Sequence, residues 1–171
     1  MGRYVEIGLL YKLVFPRVFP DWARKELEAT CDKELFDYST LETENFVRLK
    51  DNLDVSALID LQSKVLDLVG NPNWMSRLEC PCSTMSELIE LAEGQSNVDF
   101  YSITLTYIWR GPNDEHIYVH YNYFRIYYNP WKFLPDSGRY YHEITSKASR
   151  LIEVALGPNN KYKNLLSVYV D

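Results

Sequence analysis

Tyr101-Ser102-Ile103-Thr104-Leu105-Thr106-Tyr107-Ile108-Trp109 sets a bulky side chain at every second position, with Ser102, Thr104 and Thr106 between them. A period of two is that of a strand with one face buried. Gly111-Pro112-Asn113-Asp114 follows with turn chemistry, because Gly tolerates positive φ and Pro cannot continue a ladder, so the chain reverses there. From His116 to Tyr128 the return strand puts Ile117, Val119, Tyr121 and Tyr123 on one side and Tyr118, His120, Asn122 and Phe124 on the other. With both faces aromatic or aliphatic, this second strand belongs inside a sheet. Asn129-Pro130 ends it. A long hairpin over about 99–128 is therefore the expected centre of the fold.

Outward from the hairpin, Val5, Ile7, Leu9, Tyr11, Leu13 and Phe15 alternate with Glu6, Gly8, Leu10 and Lys12, which predicts a first strand closed by Pro16. Asp21 is placed to cap a helix with Trp22, Ala23, Leu27 and Cys31 on its apolar side. Phe46 to Leu49 reads as a short strand. Asp54 is placed to cap a second helix with Val55, Leu58, Ile59, Gln62, Val65, Leu66 and Val69 at helical spacing, ahead of Gly70 and Pro72. Thr84 and Glu87 match a capping box before Met85, Leu88, Ile89 and Ala92. Tyr141, Ile144, Ala148, Leu151, Ile152 and Ala155 form an amphipathic stripe up to Gly157-Pro158, and Leu165 to Val170 reads as a last strand. The expectation is α+β: residues 1–171 as a single domain, a mainly antiparallel sheet centred on the hairpin, helices packed on it.

A chain of 171 residues buries roughly 70% of its unfolded surface and needs no staples. No apolar run approaches the ~20 residues of a membrane helix. Glu6 and Lys12 interrupt the opening apolar stretch, no cleavage site follows, and Glu6 stands where myristoylation wants Ser or Thr, so a cytoplasmic location is expected. Cys31, Cys80 and Cys82, an odd number, define no disulfide framework.

Charge is unevenly spread. Residues 1–20 hold three bases and one acid, residues 21–99 seven bases and seventeen acids, and residues 100–171 eight bases and six acids, giving the net −6. An acidic block repels nucleic acid and anionic membrane and steers basic partners. The ordinary role of such acids is a solvated, solubilising surface; the sharper one is a docking surface. The candidate partner-binding set is Glu79, Glu87, Glu90, Glu93 and Asp99, with Tyr118, His120 and Trp131 as aromatic or polar anchors.

Chemistry-bearing patterns are sparse. His116 and His120, read on a strand, have Cα atoms roughly 13 Å apart, too far for one ion. Cys80-Pro81-Cys82 is one residue short of zinc-knuckle spacing. There is no Gly-x-Ser-x-Gly elbow, phosphate loop or dinucleotide fingerprint. The aromatic-polar set Thr104, Thr106, Tyr118, His120 and Asn122 lacks the surrounding bases an RNA-stacking sheet needs. No catalytic, metal or cofactor residue is assigned. The expected function is a small acidic protein-binding module that docks on a basic partner, similar in size, acidity and lack of motifs to inhibitor and immunity-type proteins as a class. The alternatives are a hydrolase using His116, His120 and His142, and a small-molecule sensor with an aromatic pocket between the hairpin and Tyr140-Tyr141.

Overall fold

In the computed structural model, which describes residues 4–69, 82–94, 102–130, 146, 149, 150, 153, 154, 156, 157 and 161–170, the sheet is built on β1 (Tyr4–Val14). One edge of β1 carries β5 (His116–Pro130) along nearly its whole length. The other edge is shared by β6 (Leu166–Val170), opposite Val5 to Leu9, and β3 (Phe46–Leu49), opposite Lys12 to Val14. β2 (Phe36–Asp37) lies beyond β3 and β4 (Ser102–Arg110) beyond β5, giving the order β2-β3-β1-β5-β4 with every pairing antiparallel. With α1 (Ala23–Thr30), α2 (Leu41–Glu44), α3 (Val55–Val69) and α4 (Met85–Glu93), the fold is α+β and mainly antiparallel. The hairpin forms as expected, with β5 inside the sheet. The central strand, however, is β1, and β4 lies on the outer side.

Two irregularities set which side chains meet. The register of β1 on β5 slips between Leu10 and Lys12, leaving Tyr11 as an extra residue, and between Ile7 and Gly8, leaving Ile126 as an extra on β5. Each bulge turns two successive side chains toward one face. Tyr11 thus stacks on Phe124 with ring centres 3.9 Å apart, while its neighbour Lys12 lies over the Phe46 ring at 4.6 Å.

Helices cover both faces. α1 sits on the face bearing Trp109 and Tyr121: its Ala23 and Leu27 are buried, Cys31 behind it is buried, and its Thr30 lies near the Tyr121 hydroxyl. α4 sits on the opposite face with Met85, Leu88, Ile89 and Ala92 buried, and its Glu93 meets the Tyr11 hydroxyl at 3.2 Å. The caps differ from one helix to the next. Thr84 Oγ1 accepts the Glu87 N–H at 3.2 Å, and Glu87 Oε2 accepts the N–H of Ser83 at 2.9 Å, a capping box shifted by one residue. Asp54 accepts both the N–H and the hydroxyl of Ser56, which holds its carboxyl below the usual range. Asp21, the expected cap of α1, is exposed and offers no side-chain bond. Instead, backbone turns from Ala23 N–H to Pro20 C=O (3.0 Å) and Arg24 N–H to Asp21 C=O (3.2 Å) start the helix.

The β4–β5 turn is a three-residue loop, Pro112-Asn113-Asp114, closed by Gly111 N–H to Glu115 C=O at 2.7 Å. Its positive φ falls on Asp114 (58°), not on Gly111. Gly111 is needed for close approach: a Cβ there would sit 2.6 Å from the Trp22 ring and against the Glu115 carboxylate. Ser146, Ser149, Arg150, Glu153, Val154 and Leu156 are helical, and Gly157 (φ 70°) ends that turn with its N–H on Glu153 C=O. Tyr141, Ile144, Ala148, Leu151, Ile152 and Ala155 lie outside the described residues.

Candidate functional site

On the face of the hairpin opposite Trp109, the register aligns Thr104 with Asn122, Thr106 with His120 and Ile108 with Tyr118. Thr104 Oγ1 donates to Asn122 Oδ1 at 2.9 Å, and Thr106 Oγ1 lies 2.9 Å from His120 Nδ1. Thr104, Thr106 and His120 are exposed, as are Ile108 (47%) and Tyr118 (55%), and none of the described helices lies over this half of the face. Its inner end joins α4. Ser102 Oγ lies 2.6 Å from the Tyr11 hydroxyl, which donates to Glu93 Oε1, and Lys12 Nζ reaches the same oxygen at 3.3 Å.

The surface of α4 that meets solvent is acidic. At about 100° per residue, the three-residue spacing of Glu87, Glu90 and Glu93 spreads them over an arc of about 120°, facing away from the buried stripe. Glu87 also caps its helix, and Glu93 is tied to Tyr11 and Lys12. Glu90 is exposed and makes no ion pair among the described residues. The acid-rich block of the sequence does not collect on one side: Glu26 and Glu28 on α1 ride above the Trp109 face, with Glu28 paired to Lys33 at 2.8 Å and the nearby Glu42 to Arg24 at 2.9 Å. The acids beside the open hairpin face are those of α4. Tyr118 and His120 lie on that face, while Glu79, Asp99 and Trp131 lie outside the described residues.

Reading the sequence missed two members of this site, Tyr11 and Lys12. Strict alternation separates them to opposite faces, and only a bulge brings both beside Glu93. It also missed a buried ion pair. Glu6, 2% exposed, lies on the side of β1 that alternation marks as polar, and receives Arg125 at 2.6 Å.

The groups weighed for chemistry are dispersed. His116 packs edge-on to Tyr118, while His120 engages Thr106, four residues further along the same strand. His142 and Cys80 lie outside the described residues. Cys31 is buried, which pushes its thiol up, away from nucleophilic use. Among the described residues, no three His, Cys, Asp or Glu side chains are placed to hold a metal ion. A cavity of about 380 Å³ is lined by Ala57, Asp60, Leu61, Lys64, Leu156, Lys161 and Tyr162, none of them from the hairpin. No described helix is long and apolar enough to cross a membrane. A cluster of aromatics packs on the face that α1 covers: Phe15 meets Trp109 at 5.6 Å, Tyr107 meets Tyr121 at 4.4 Å, and Trp109 Nε1 donates to the Tyr121 hydroxyl at 2.9 Å.

No family model, no curated protein and no solved structure is significantly similar to this chain.

Proposed function

We propose that this chain is a protein-binding module of the inhibitor or immunity type, which docks a basic partner on the acidic row of α4 and the open hairpin face beside it. The observation that supports this reading is their continuity. Glu93 is linked through Tyr11 to Ser102, and Thr104, Thr106, Ile108, Tyr118 and His120, all exposed, extend the same side of the sheet outward. A row of carboxylates raises the encounter rate of a cationic surface, and a half-exposed tyrosine beside it offers area that loses water on contact.

The test must avoid carboxylates that hold the fold. Reversing Glu87 removes a cap, and reversing Glu93 leaves Lys12 beside a second cation. Glu90→Lys is clean, because Glu90 is exposed and unpaired among the described residues. Wild type, Glu90→Lys and Tyr118→Ala are immobilised in parallel and challenged with lysate of the native host. A stoichiometric basic protein held by the wild type should bind at least about tenfold more weakly to each variant, with a shallower salt dependence for Glu90→Lys. Equal retention by all three removes this surface from the reading.

A further inference from the structure

We propose that two copies of this chain form a symmetric dimer by pairing β4 antiparallel with β4 of the second copy about a two-fold axis at Thr106, joining their sheets edge to edge. Among the described residues, β4 pairs only with β5, so its outer edge carries an unmatched row of backbone groups. The ladder shows which groups these are. Gly111 donates to Glu115 across the turn, so alternation assigns Trp109, Tyr107, Leu105 and Ile103 to bonds with β5. Ser102, Thr104, Thr106, Ile108 and Arg110 then turn their N–H and C=O outward. The close side-chain pairs Thr104–Asn122 and Thr106–His120 fit this, since side chains approach best at positions without ladder bonds.

Edges left open in natural sheets are normally guarded by Lys, Pro, a bulge or shortness. β4 has nine residues, an unbroken register with β5, no Lys and no Pro. Antiparallel pairing about Thr106 satisfies all five outward residues at once: Thr106 with Thr106 of the second copy, Thr104 with Ile108, and Ser102 with Arg110. The side chains match as well. Leu105 meets Tyr107, and Ile103 meets Trp109, on the covered face; Tyr107 (42% exposed) and Ile108 (47%) are the exposed apolar groups that such pairing shields. Charge complementarity selects a second copy as the occupant. Arg110 is the one charged residue of β4 and falls opposite Ser102 of the other chain, where Ser102, Tyr11 and Glu93 are linked in turn. Each guanidinium thereby comes beside the acidic row of its partner, twice per dimer, as a two-fold axis requires. This inference does not rest on the docking role proposed above: it is argued from the backbone edge of β4, although it shares Ile108 and the Glu93 end of the acidic row with that surface.

Sedimentation of the full chain over a range of concentrations should show a monomer–dimer equilibrium at low salt. Thr106→Pro removes an outward donor without breaking a β5 bond and should abolish the dimer. Ile108→Lys, which leaves the core intact, should do the same and covers the case in which the proline variant fails to fold. Arg110→Glu should raise the dissociation constant about tenfold or more. Oxidised Thr106→Cys should give a covalent dimer that the wild type does not, since the paired Cα atoms lie about 5.5 Å apart, within disulfide reach. Ser102→Cys should not, its two copies being roughly 27 Å apart. A monomer at every concentration overturns the proposal, as does a dimer indifferent to Thr106→Pro, Ile108→Lys and Arg110→Glu.

Discussion

β1 and β4 look alike as sequence, each a run of alternating apolar residues, yet they occupy opposite situations. β1 is paired on both edges, and its side chains from Glu6 to Tyr11 are all buried. Among the described residues β4 is paired on one edge, and of its nine residues only Trp109 is buried. Alternation reports which side chains share a face; it does not report how many neighbours a strand has. That number follows from where chain segments far apart in sequence return. β1 is flanked by strands starting 42, 112 and 162 residues after its first residue, counting from Tyr4 to Phe46, His116 and Leu166. β4 is joined to β5 by a five-residue link, Gly111 to Glu115.

The sharpest way to break this contrast is to remove charge from the central strand. In Glu6→Leu, Arg125 loses the carboxylate 2.6 Å away in a site from which water is largely excluded. Deleting one partner of a buried pair costs about 3–5 kcal/mol. Thr104→Ala, on the exposed face of β4, should stay within about 0.5 kcal/mol of wild type. Urea denaturation measures both; a loss under about 1 kcal/mol for Glu6→Leu would mean that this part of β1 is less enclosed than it looks.

The contact between the hairpin tip and α1 offers the next largest effect. Gly111→Ala drives a methyl group into Trp22 and the Glu115 carboxylate, and overpacking of this kind costs about 1–3 kcal/mol. Because Trp22 must give way, its fluorescence should shift along with the loss of thermal stability. A full-stability variant with unchanged emission would show that the tip is not held against α1.

Alkaline pH probes the tyrosines packed around β1. Burial pushes the phenols of Tyr11 and Tyr123 well above the ordinary tyrosine value. The folded chain therefore keeps protons that the unfolded chain releases from about pH 10 upward. That stabilisation is fully present below pH ~10 and is lost as pH rises toward the folded-state values, at about 1.4 kcal/mol per pH unit for each such group. Tyr123→Phe should make the fall in stability above pH ~10 shallower by about that slope. An identical slope in the variant would place the Tyr123 hydroxyl in water.

Much of this architecture could be read directly from residues. The caps at Asp54 and Thr84, the apolar stripe of α4, the short strand at Phe46 and the hairpin turn all depend on neighbours within a few positions, where local chemistry decides the backbone. What escaped depends on register. Glu6 reads as outward because alternation is the only cue, and its partner Arg125 is 119 residues away. Tyr11 and Lys12 share a face only through a bulge, which costs one residue and leaves no mark in composition. Asp21 has the right chemistry for a cap, but Pro20 and Asp21 carbonyls already take the first N–H groups of α1. The acidic block has the same limit: summing charge along the chain cannot show that α1 and α4 lie on opposite sides of the sheet.

The turn at the tip of the hairpin gives the smallest effect and separates two reasons for its sequence. Had Gly111 been required for its backbone freedom, Asp114 would be an ordinary loop residue. Instead Asp114 holds the positive φ of 58°, a region Asp tolerates better than other side chains but glycine enters without steric cost. Asp114→Gly should therefore stabilise the chain by about 0.5 kcal/mol, and Asp114→Val should lose about 1–2 kcal/mol, as a β-branched residue is forced left-handed. Both changes act at the exposed end of β4, away from β1, so neither should alter the alkaline slope set by the buried tyrosines. A destabilised glycine variant would indicate that the carboxylate of Asp114, rather than its backbone conformation, organises the loop.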